Sequence, residues 1–197
     1  MTSIDTLREI VDDGTLFLKR DLLGIVERPL MGLLLERRGY EVVEVVTGVR
    51  RSGKSTLLHC TGRSLLQQGE TVHFIDLEDE RFTHGSTDLP DLTTIVGVDG
   101  SVLMIDEPQG MPGWERWVRR MSARGIKVYL TGSNSSLLGR EISTTLAGRK
   151  RQHEMFPFSF GEYIRAMGAG DAPSDRVIGL LEDYLASGGF PYPTVTG

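Results

Sequence analysis

The spacing of hydrophobic residues changes several times along the chain, and each change predicts a new element. Residues 5 to 39 carry apolar residues at helical spacing and end at Gly39, a typical helix stop. The next run, YEVVEVVTG, is rich in β-branched residues and closes in a glycine turn, so it predicts a strand. The segment KSTLLHCTGRSLLQQG returns to helical spacing. Its apolar face consists of Leu57, Leu58, Thr61 and Leu65.

Four further strands are predicted downstream: TVHFIDLED, SVLMIDE, IKVYLTGSN and RQHEMFP. The continuous apolar run of SVLMIDE is typical of a parallel strand that is buried on both faces. Residues 81 to 100 are expected to form a loop or a short helix. The segment PGWERWVRRMSARG predicts an amphipathic helix, because large apolar residues recur at helical spacing in it. These residues are Trp114, Trp117, Val118 and Met121.

After Pro157 the pattern becomes helical again. The segment SFGEYIRAMG begins with Ser159 and Glu162 at the spacing of a capping box. The segment SDRVIGLLEDYLASGG predicts a second helix, with an apolar stripe of Val177, Leu180, Leu181, Tyr184 and Leu185. The chain then ends in FPYPTVTG without a closing element, and we expect it to lead into a further domain.

Strands that alternate with helices predict one parallel sheet covered by helices on both faces. We therefore expect three segments. Residues 1–40 form an N-terminal helical extension, residues 41–157 form the α/β core, and residues 158–197 form a helical segment before the further domain. In a sheet of this kind, ligands bind outside the carboxyl ends of the strands.

Composition narrows the classes of protein that this pattern allows. Hydrophobic residues make up 39% of the chain and charged residues 25%, as in ordinary soluble proteins. No apolar run approaches the roughly 20 residues that span a bilayer, and the acidic N-terminus does not resemble a signal peptide, so we expect a cytoplasmic protein with no membrane partner. One cysteine excludes an intrachain disulfide, and the four histidines show no metal-ligand spacing. A net charge of −5 argues against a dedicated nucleic-acid domain.

The turn after the first strand carries the sequence GVRRSGKS, which fits the phosphate-loop pattern G-x-x-x-x-G-K-[ST] from Gly48 to Ser55. Its glycines let backbone N–H groups point inward at the positive end of a helix. Lys54 is expected to reach the β- and γ-phosphates of a nucleotide, and Ser55 to hold Mg²⁺. We expect the side chains of Arg50 and Arg51 to project outward. The expected nucleotide-binding residues are Gly48, Val49, Arg50, Arg51, Ser52, Gly53, Lys54, Ser55 and Thr56.

An acid pair ends the strand SVLMIDE. A carboxylate at the end of a buried strand is costly unless it is compensated, and Mg²⁺ bound to Asp106 through water would compensate it. Glu107 follows directly and is placed to act as a general base on an attacking water. The alternative is that the pair only caps the next helix.

Two further positions are candidates for contact with the γ-phosphate. Ser133 or Asn134, in the sequence LTGSN, could contact this phosphate or the attacking water, although Gly-Ser-Asn is also ordinary turn chemistry. Arg149, in LAGRKRQ, could stabilise charge on the transferred phosphoryl group, and such an arginine often acts in trans. Arg140 is the other candidate, and a surface arginine without a role is the plain alternative.

These motifs together resemble one known group of proteins. The order GVRRSGKST, LMIDEPQ, PGWERWVRR, VYLTGSNSSLL, LAGR, FPFSFGEY and SGGFP resembles prokaryotic AAA-superfamily ATPases, largely uncharacterised, whose ATPase domain precedes a C-terminal domain of unknown function. The likeness covers roughly residues 20 to 193. It implies a three-layer αβα P-loop NTPase fold with a five-stranded parallel sheet of order 5-1-4-3-2. In this order an added strand separates the phosphate-loop strand from the strand of the acid pair. The resemblance gives family roles to Lys54, Ser55, Asp106, Glu107, the TGSN segment and Arg149.

Two functions fit these expectations. The first is Mg²⁺-dependent hydrolysis of ATP with Glu107 activating water, coupled to movement of attached helices; an arginine in trans would then require a homo-oligomer. The second is an ATP-dependent switch or DNA-binding regulatory module with little turnover, in which the arginine-rich helix 114–124 or the further domain contacts DNA or a protein.

A small-molecule kinase is disfavoured because no arginine-rich lid lies between the third and fourth strands. A GTPase is disfavoured because the [NT]KxD motif is absent.

Overall fold

A sheet of five parallel strands forms the centre of the computed structural model, which describes residues 2–36, 42–83, 87–133 and 145–191. In chain order the strands are β1 (Val43–Gly48), β2 (Val72–Asp76), β3 (Val102–Asp106), β4 (Lys127–Ser133) and β5 (Lys150–Glu154). Their order across the sheet is β2-β3-β4-β1-β5. Read from the other edge this is 5-1-4-3-2, so the predicted order is confirmed. Strand β4 therefore lies between the phosphate-loop strand β1 and the acid-pair strand β3.

Seven helices are described around this sheet. They are α1 (Ile4–Lys19), α2 (Pro29–Glu36), α3 (Lys54–Gln67), α4 (Asp88–Val96), α5 (Trp114–Ala123), α6 (Phe160–Ala166) and α7 (Ser174–Ser187), with a short 3₁₀ turn at Pro108–Gly110. The open question for residues 81 to 100 is thus answered by a helix, α4. Residues 20–28, within the predicted N-terminal helices, are not helical and form a connecting segment between α1 and α2. The predicted helix stop at Gly39 lies outside the described residues.

Among the described residues, two hydrophobic clusters pack against the sheet, one on each face. The first contains the inner faces of α4 and α5 and one set of strand residues; the second contains α3, residues of α2 and the other set. The predicted buried stripe of α5 is confirmed, since Trp114, Trp117, Val118 and Met121 are all buried. Trp117 also donates its indole N–H to the Thr93 hydroxyl of α4 at 2.8 Å. The three-layer arrangement follows from these two buried faces.

Helix α1 contributes to both clusters, with Leu7, Ile10 and Val11 in one and Leu18 in the other. It begins after Ser3, whose hydroxyl accepts from Thr6 N at 3.1 Å as an N-cap. It packs against β2, the strand at one end of the sheet order. The N-terminal helix is therefore integral to the hydrophobic core.

Helices α6 and α7 pack on each other around a small cluster of Tyr163, Ala169 and Leu180. The predicted capping box of Ser159 and Glu162 is present. The apolar stripe predicted along α7 is buried only in part, because Leu185 is 73% exposed. Spacing identified the stripe, but a pair of short helices offers only a narrow partner surface to cover it. The fifth strand ends at Glu154, earlier than predicted, since the chain leaves the sheet before Pro157.

Candidate nucleotide-binding site

The carboxyl ends of the parallel strands open into a cleft of about 1240 Å³. One wall is the phosphate loop between β1 and α3, and another is the acid pair after β3. The connecting segment 20–28 contributes residues 21–28, and Met155, Phe158, Pro191 and residues of α3 also line the cleft. The volume exceeds the few hundred Å³ that a small-molecule ligand needs. The fold therefore brings the two predicted phosphate motifs together in one cleft.

The phosphate loop needs both of its glycines. A Cβ at Gly48 would lie 2.1 Å from the carbonyl oxygen of Met155, so no side chain fits there. Gly53 has φ +95°, a left-handed conformation that favours glycine. Arg51, between them, also has positive φ, at 67°, although it is not a glycine. The loop leads directly into α3, where the helix dipole favours an anion.

Polar side chains line the inside of this loop. Lys54 is 5% exposed, and its Nζ donates to the carbonyl oxygens of Gly48 and Val49 at 3.2 and 3.1 Å. The hydroxyl of Ser52 is fully buried and has no hydrogen-bond partner within the part of the chain that the structure describes. An ammonium that folds back onto the carbonyl oxygens of its own loop fits a loop that binds an anion.

The first acid, Asp106, is 6% exposed at the end of β3. The Thr131 hydroxyl of β4 donates to its Oδ1, and the Ser55 side chain at the start of α3 is also hydrogen-bonded to this carboxylate. Burial raises the pKa of Asp106, and these two hydrogen bonds oppose the rise. Ser55 and Asp106, both predicted to hold Mg²⁺, thus meet at one point.

The second acid, Glu107, has an unusual backbone. Its φ is 45° and its ψ is 60°, and its N–H donates to the carbonyl oxygen of Thr131 at 3.0 Å. Its carboxylate accepts from the Gln109 side chain at 2.8 Å. Among the described residues, Glu107 and Arg51 are the two non-glycine positions with positive φ, and both line the cleft. Such strain is retained mainly at functional sites.

Two side chains of this site were not named individually from the sequence, although Thr131 is the first residue of the TGSN segment. Thr131 is directly opposite Asp106 in the β3–β4 register, and Asp76 is opposite Asp106 in the β2–β3 register. Asp76 lines the cleft; burial raises its pKa, and the nearby acids Glu78, Asp79 and Glu107 raise it further. One signal was available, because the strands VHFID and VLMID both end in Ile-Asp.

The residues predicted to contact the γ-phosphate differ in how close they lie to the phosphate loop. Ser133 pairs in register with Gly48, so it stands beside the phosphate loop; Asn134 and Arg140 lie outside the described residues. Arg149 is exposed and precedes the first residue of β5, whose amino end pairs with Val43. Five residues of strand separate this level from Gly48, which is roughly 16 Å. Arg149 thus lies at the amino end of the strands, whereas its own phosphate loop lies at their carboxyl end.

The arginines of the loop behave differently from its lysine. Arg50 and Arg51 are exposed, and both line the cleft. Thr56 is exposed, and Val49 is 47% exposed.

Fold and site together define the class of protein. A parallel sheet of order 5-1-4-3-2, with a phosphate loop after β1 and an acid after β3, is a P-loop NTPase fold. A family model described as AAA domain matches residues 41–164, and the chain belongs to this AAA domain family. Membership indicates a nucleotide-binding, ATPase-type module and confirms the resemblance drawn from the motifs.

Two curated relatives are similar to the chain over most of its length. An uncharacterized protein of Methanocaldococcus jannaschii is 29% identical over 164 residues, which is 78% of this chain and 36% of the relative. An uncharacterized protein of Haemophilus influenzae is 31% identical over 168 residues, which is 80% of this chain and 42% of the relative. The chain thus spans less than half the length of these relatives.

Two properties of the described residues bear on partners and metals. None of the helices in the described ranges has the length and apolar character to cross a membrane. Those ranges also hold no group of three or more His, Cys, Asp or Glu side chains arranged to bind a metal ion. A magnesium site of the phosphate-binding type does not need such a group, since one carboxylate, a hydroxyl, water and phosphate oxygens suffice.

Proposed function

We propose that this domain binds ATP with Mg²⁺ and hydrolyses it, and that hydrolysis changes the position of its attached helices. The observation that carries the proposal is that Ser55, Asp106 and Glu107 meet in one cleft at the mouth of the phosphate loop. Loops that only bind phosphate do not need the second acid, whereas hydrolysis needs a group that accepts a proton from water.

The residues fit both ATP and Mg²⁺. The Lys54 ammonium, which lines the cleft and is held by loop carbonyl oxygens, suits a polyphosphate chain. The hydroxyl of Ser55 and the carboxylate of Asp106 are oxygen donors of the kind that Mg²⁺ prefers. Mg²⁺, when bound, would neutralise charge between the β- and γ-phosphates.

The rest of the cleft suits the nucleoside. Ile25 and Val26 of the connecting segment line the cleft, together with Phe158 and Pro191. Ile25 is 39% exposed and so presents apolar surface to the cleft. An aromatic base would bury this surface, because cofactor sites combine apolar walls with a few polar anchors.

The chain's own residues would divide the chemistry as follows. Lys54 exchanges its loop carbonyl partners for phosphate oxygens and balances negative charge as the terminal phosphoryl group departs. Glu107, held by Gln109, accepts a proton from the attacking water as the oxygen bonds to phosphorus. Asp106 is buried and already bonded to Ser55 and Thr131, so it serves as a fixed anchor.

A substitution at Glu107 tests the proposal. The Glu107→Gln variant should keep its affinity for MgATP and lose phosphate release by about 100-fold or more, because the amide cannot take the proton. Fluorescent-nucleotide titration and a phosphate-release assay measure the two effects. Glu80→Gln, in an exposed part of the nearby acidic stretch, is the matched control and should behave as wild type. Unchanged phosphate release by the Glu107 variant would contradict the assignment of the base.

We propose a role in trans for Arg149, since it lies at the amino end of the strands, away from its own phosphate loop at their carboxyl end. A second copy would then present this arginine to the cleft and stabilise charge on the transferred phosphoryl group. The specific phosphate-release rate should therefore rise with protein concentration in the wild type, and this rise should be absent in Arg149→Ala.

One observation favours a second function, a DNA-binding regulatory module with little turnover. The outer face of α5 carries Arg116, Arg119 and Arg120, all exposed, while its inner face is buried. Arginines on one helix face can contact a phosphate backbone. Salt-dependent DNA binding that is lost when Arg119 and Arg120 are changed to glutamate would support this function, particularly if wild-type turnover is negligible.

A further inference from the structure

The Arg28 side chain joins three elements at the edge of the cleft. Its Nε lies 2.7 Å from Oε1 of Glu162 in the first turn of α6. Its Nη2 donates to the carbonyl oxygen of Phe156 at 2.7 Å, and its Nη1 donates to that of Ser52, in the phosphate loop, at 3.4 Å. The guanidinium also lies 5.1 Å from the centroid of the Phe158 ring. One arginine fork thus touches the phosphate loop, the segment after β5 and α6.

The partner of Arg28 is fully engaged. The other oxygen of Glu162 accepts from the backbone N–H and the hydroxyl of Ser159 at 2.7 and 2.8 Å, which forms the capping box of α6. The side chains of Arg28 and Glu162 are only 12% and 8% exposed. A buried ion pair with both partners satisfied in this way has a defined geometry, and removal of one charge leaves the other uncompensated.

The C-terminal end of α7 also contacts the segment after β5. The Tyr184 hydroxyl donates to the carbonyl oxygen of Phe158 at 2.9 Å, and the N–H of Phe158 donates to the carbonyl oxygen of Gly189 at 2.6 Å. Pro191 then reaches the phosphate loop, with its Cγ 3.7 Å from the position of a Cβ at Gly53. Segment 156–159 is therefore held by Arg28 on one side and by the end of α7 on the other.

Arg28 also stands between two cavities. The main cleft shares Arg28, Met155 and Phe158 with a second cavity of about 490 Å³ beneath α6 and α7. Glu162 lines only the second cavity, so it does not border the nucleotide cleft. An effect of Glu162 on nucleotide binding would have to pass through Arg28 or through the backbone that Arg28 holds.

We propose that Arg28 is a positioning residue that ties the phosphate loop to α6, so that the docking of α6 and α7 sets the affinity of the loop for nucleotide. This inference rests on the proposed function. The side chain acts on the nucleotide indirectly, through the Ser52 carbonyl and the segment 156–159. Because coupling between two sites is reciprocal, bound nucleotide should also strengthen the docking of α6 and α7 by the same factor.

Arginine is needed here because of its shape as well as its charge. The planar fork donates in several directions at once, and Arg28 uses three of its nitrogens on three different acceptors. A lysine ammonium could pair with Glu162 but could not also reach the carbonyl oxygens of Ser52 and Phe156 in this arrangement. Lysine therefore separates the positioning role from the simple presence of a charge pair.

The experiment uses two conservative variants, Arg28→Lys and Glu162→Gln, and their combination. Glutamine still suits the capping box, and lysine keeps the positive charge, so both variants should fold. The dissociation constant for MgADP is measured by calorimetry. Amide hydrogen exchange of residues 49–53 and 160–187 is measured with and without MgADP. Arg176→Ala, an exposed position on α7, is the matched control.

The wild-type chain and the control should bind MgADP equally, with slower exchange across 160–187 when MgADP is bound. Each variant should bind about 10-fold more weakly, and its free form should exchange residues 49–53 faster. The affinity of the double variant for MgADP should be no lower than that of the weaker-binding single variant, because both substitutions break the same Arg28–Glu162 connection.

Two kinds of result would contradict the inference, and they can be told apart. Wild-type affinity for MgADP in both variants, or additive losses in the double variant, would overturn the positioning role and leave the proposed function intact. Failure of the wild-type chain to bind either MgADP or MgATP would instead overturn the proposed function, and with it the coupling inferred for Arg28.

Discussion

Single residues at the carboxyl end of the sheet carry unusual conformations and contacts. Glu107 and Arg51 have positive φ, which costs on the order of 1–3 kcal/mol each. The strain at Glu107 turns its carboxylate toward the cleft, directly after an acid that is buried and hydrogen-bonded. Two adjacent carboxylates thereby receive different environments, one as a fixed anchor and the other as a group accessible to water.

Thr131 is the residue whose role is easiest to isolate. Replacement by valine keeps the shape of this fully buried side chain and removes the hydroxyl that donates to Asp106. The free energy of unfolding should fall by about 1.5–3 kcal/mol, the range for hydrogen bonds to charged groups. Urea denaturation measures this change. Thr131→Ser retains the donor and should recover most of the loss; equal losses in both variants would show that packing, and not the hydrogen bond, is responsible.

At the level of elements, helix α1 shows how close packing positions a surface helix. A Cβ at Gly14 would lie 1.9 Å from the carbonyl oxygen of Phe74 in β2, so helix and strand are in backbone contact there. On the second cluster, a Cβ at Gly62 of α3 would lie 2.8 Å from Met104 Sδ and 2.9 Å from Leu18 Cδ2. Small residues at these points allow α1 to lie against both β2 and α3.

Gly14→Ala should therefore destabilise the protein although alanine is the better helix former. The added methyl group meets backbone that cannot turn aside, and overpacking of this kind costs about 1–3 kcal/mol. Gly32→Ala in α2 is the matched control, because a Cβ there meets nothing within 4 Å, and it should stabilise slightly. Thermal denaturation of the two variants checks the prediction. A stabilised Gly14 variant would mean that α1 does not pack as described.

At the scale of the whole molecule, a buried ionic cluster links three strands. Glu44 of β1 is fully buried and contacts Lys127 of β4 at 3.1 Å, together with Arg151 and His153 of β5 at 3.0 and 2.7 Å. Burial by itself would raise the pKa of Glu44, but the hydrogen bond with His153 and the charges of Lys127 and Arg151 outweigh it. The pKa of Glu44 therefore lies below its ordinary value.

This cluster predicts a loss of stability in acid. A carboxyl whose pKa is lower in the folded state stabilises the fold above its unfolded pKa, near 4.3, and this contribution disappears as the pH falls through the folded value. The free energy of unfolding of the wild type should thus decrease below about pH 4. Glu44→Gln should lose about 3–5 kcal/mol at neutral pH and show a shallower acid dependence. Urea denaturation between pH 3 and pH 7 checks both effects, and equal acid slopes in the two proteins would contradict them.

The sequence by itself determined the local structure and the two motifs of the candidate site. Periodicity placed β1, α3, β3 and α5, because each has a strong and uninterrupted pattern. The loop GVRRSGKS and the acid pair were visible as motifs, since their function depends on residues adjacent in the chain. The strand order itself came from the resemblance of the ordered motifs, and the structure confirmed it.

Tertiary structure alone decided which distant residues complete the site. Thr131 and Asp76 flank Asp106 only because β4 and β2 pair with β3 in a particular register. Arg28 joins the phosphate loop to Glu162 across more than a hundred residues of sequence, and no local pattern encodes such a contact. The exposed part of the α7 stripe has the same cause. Spacing specifies which residues share a face, but burial depends on the surface that the rest of the fold brings against it.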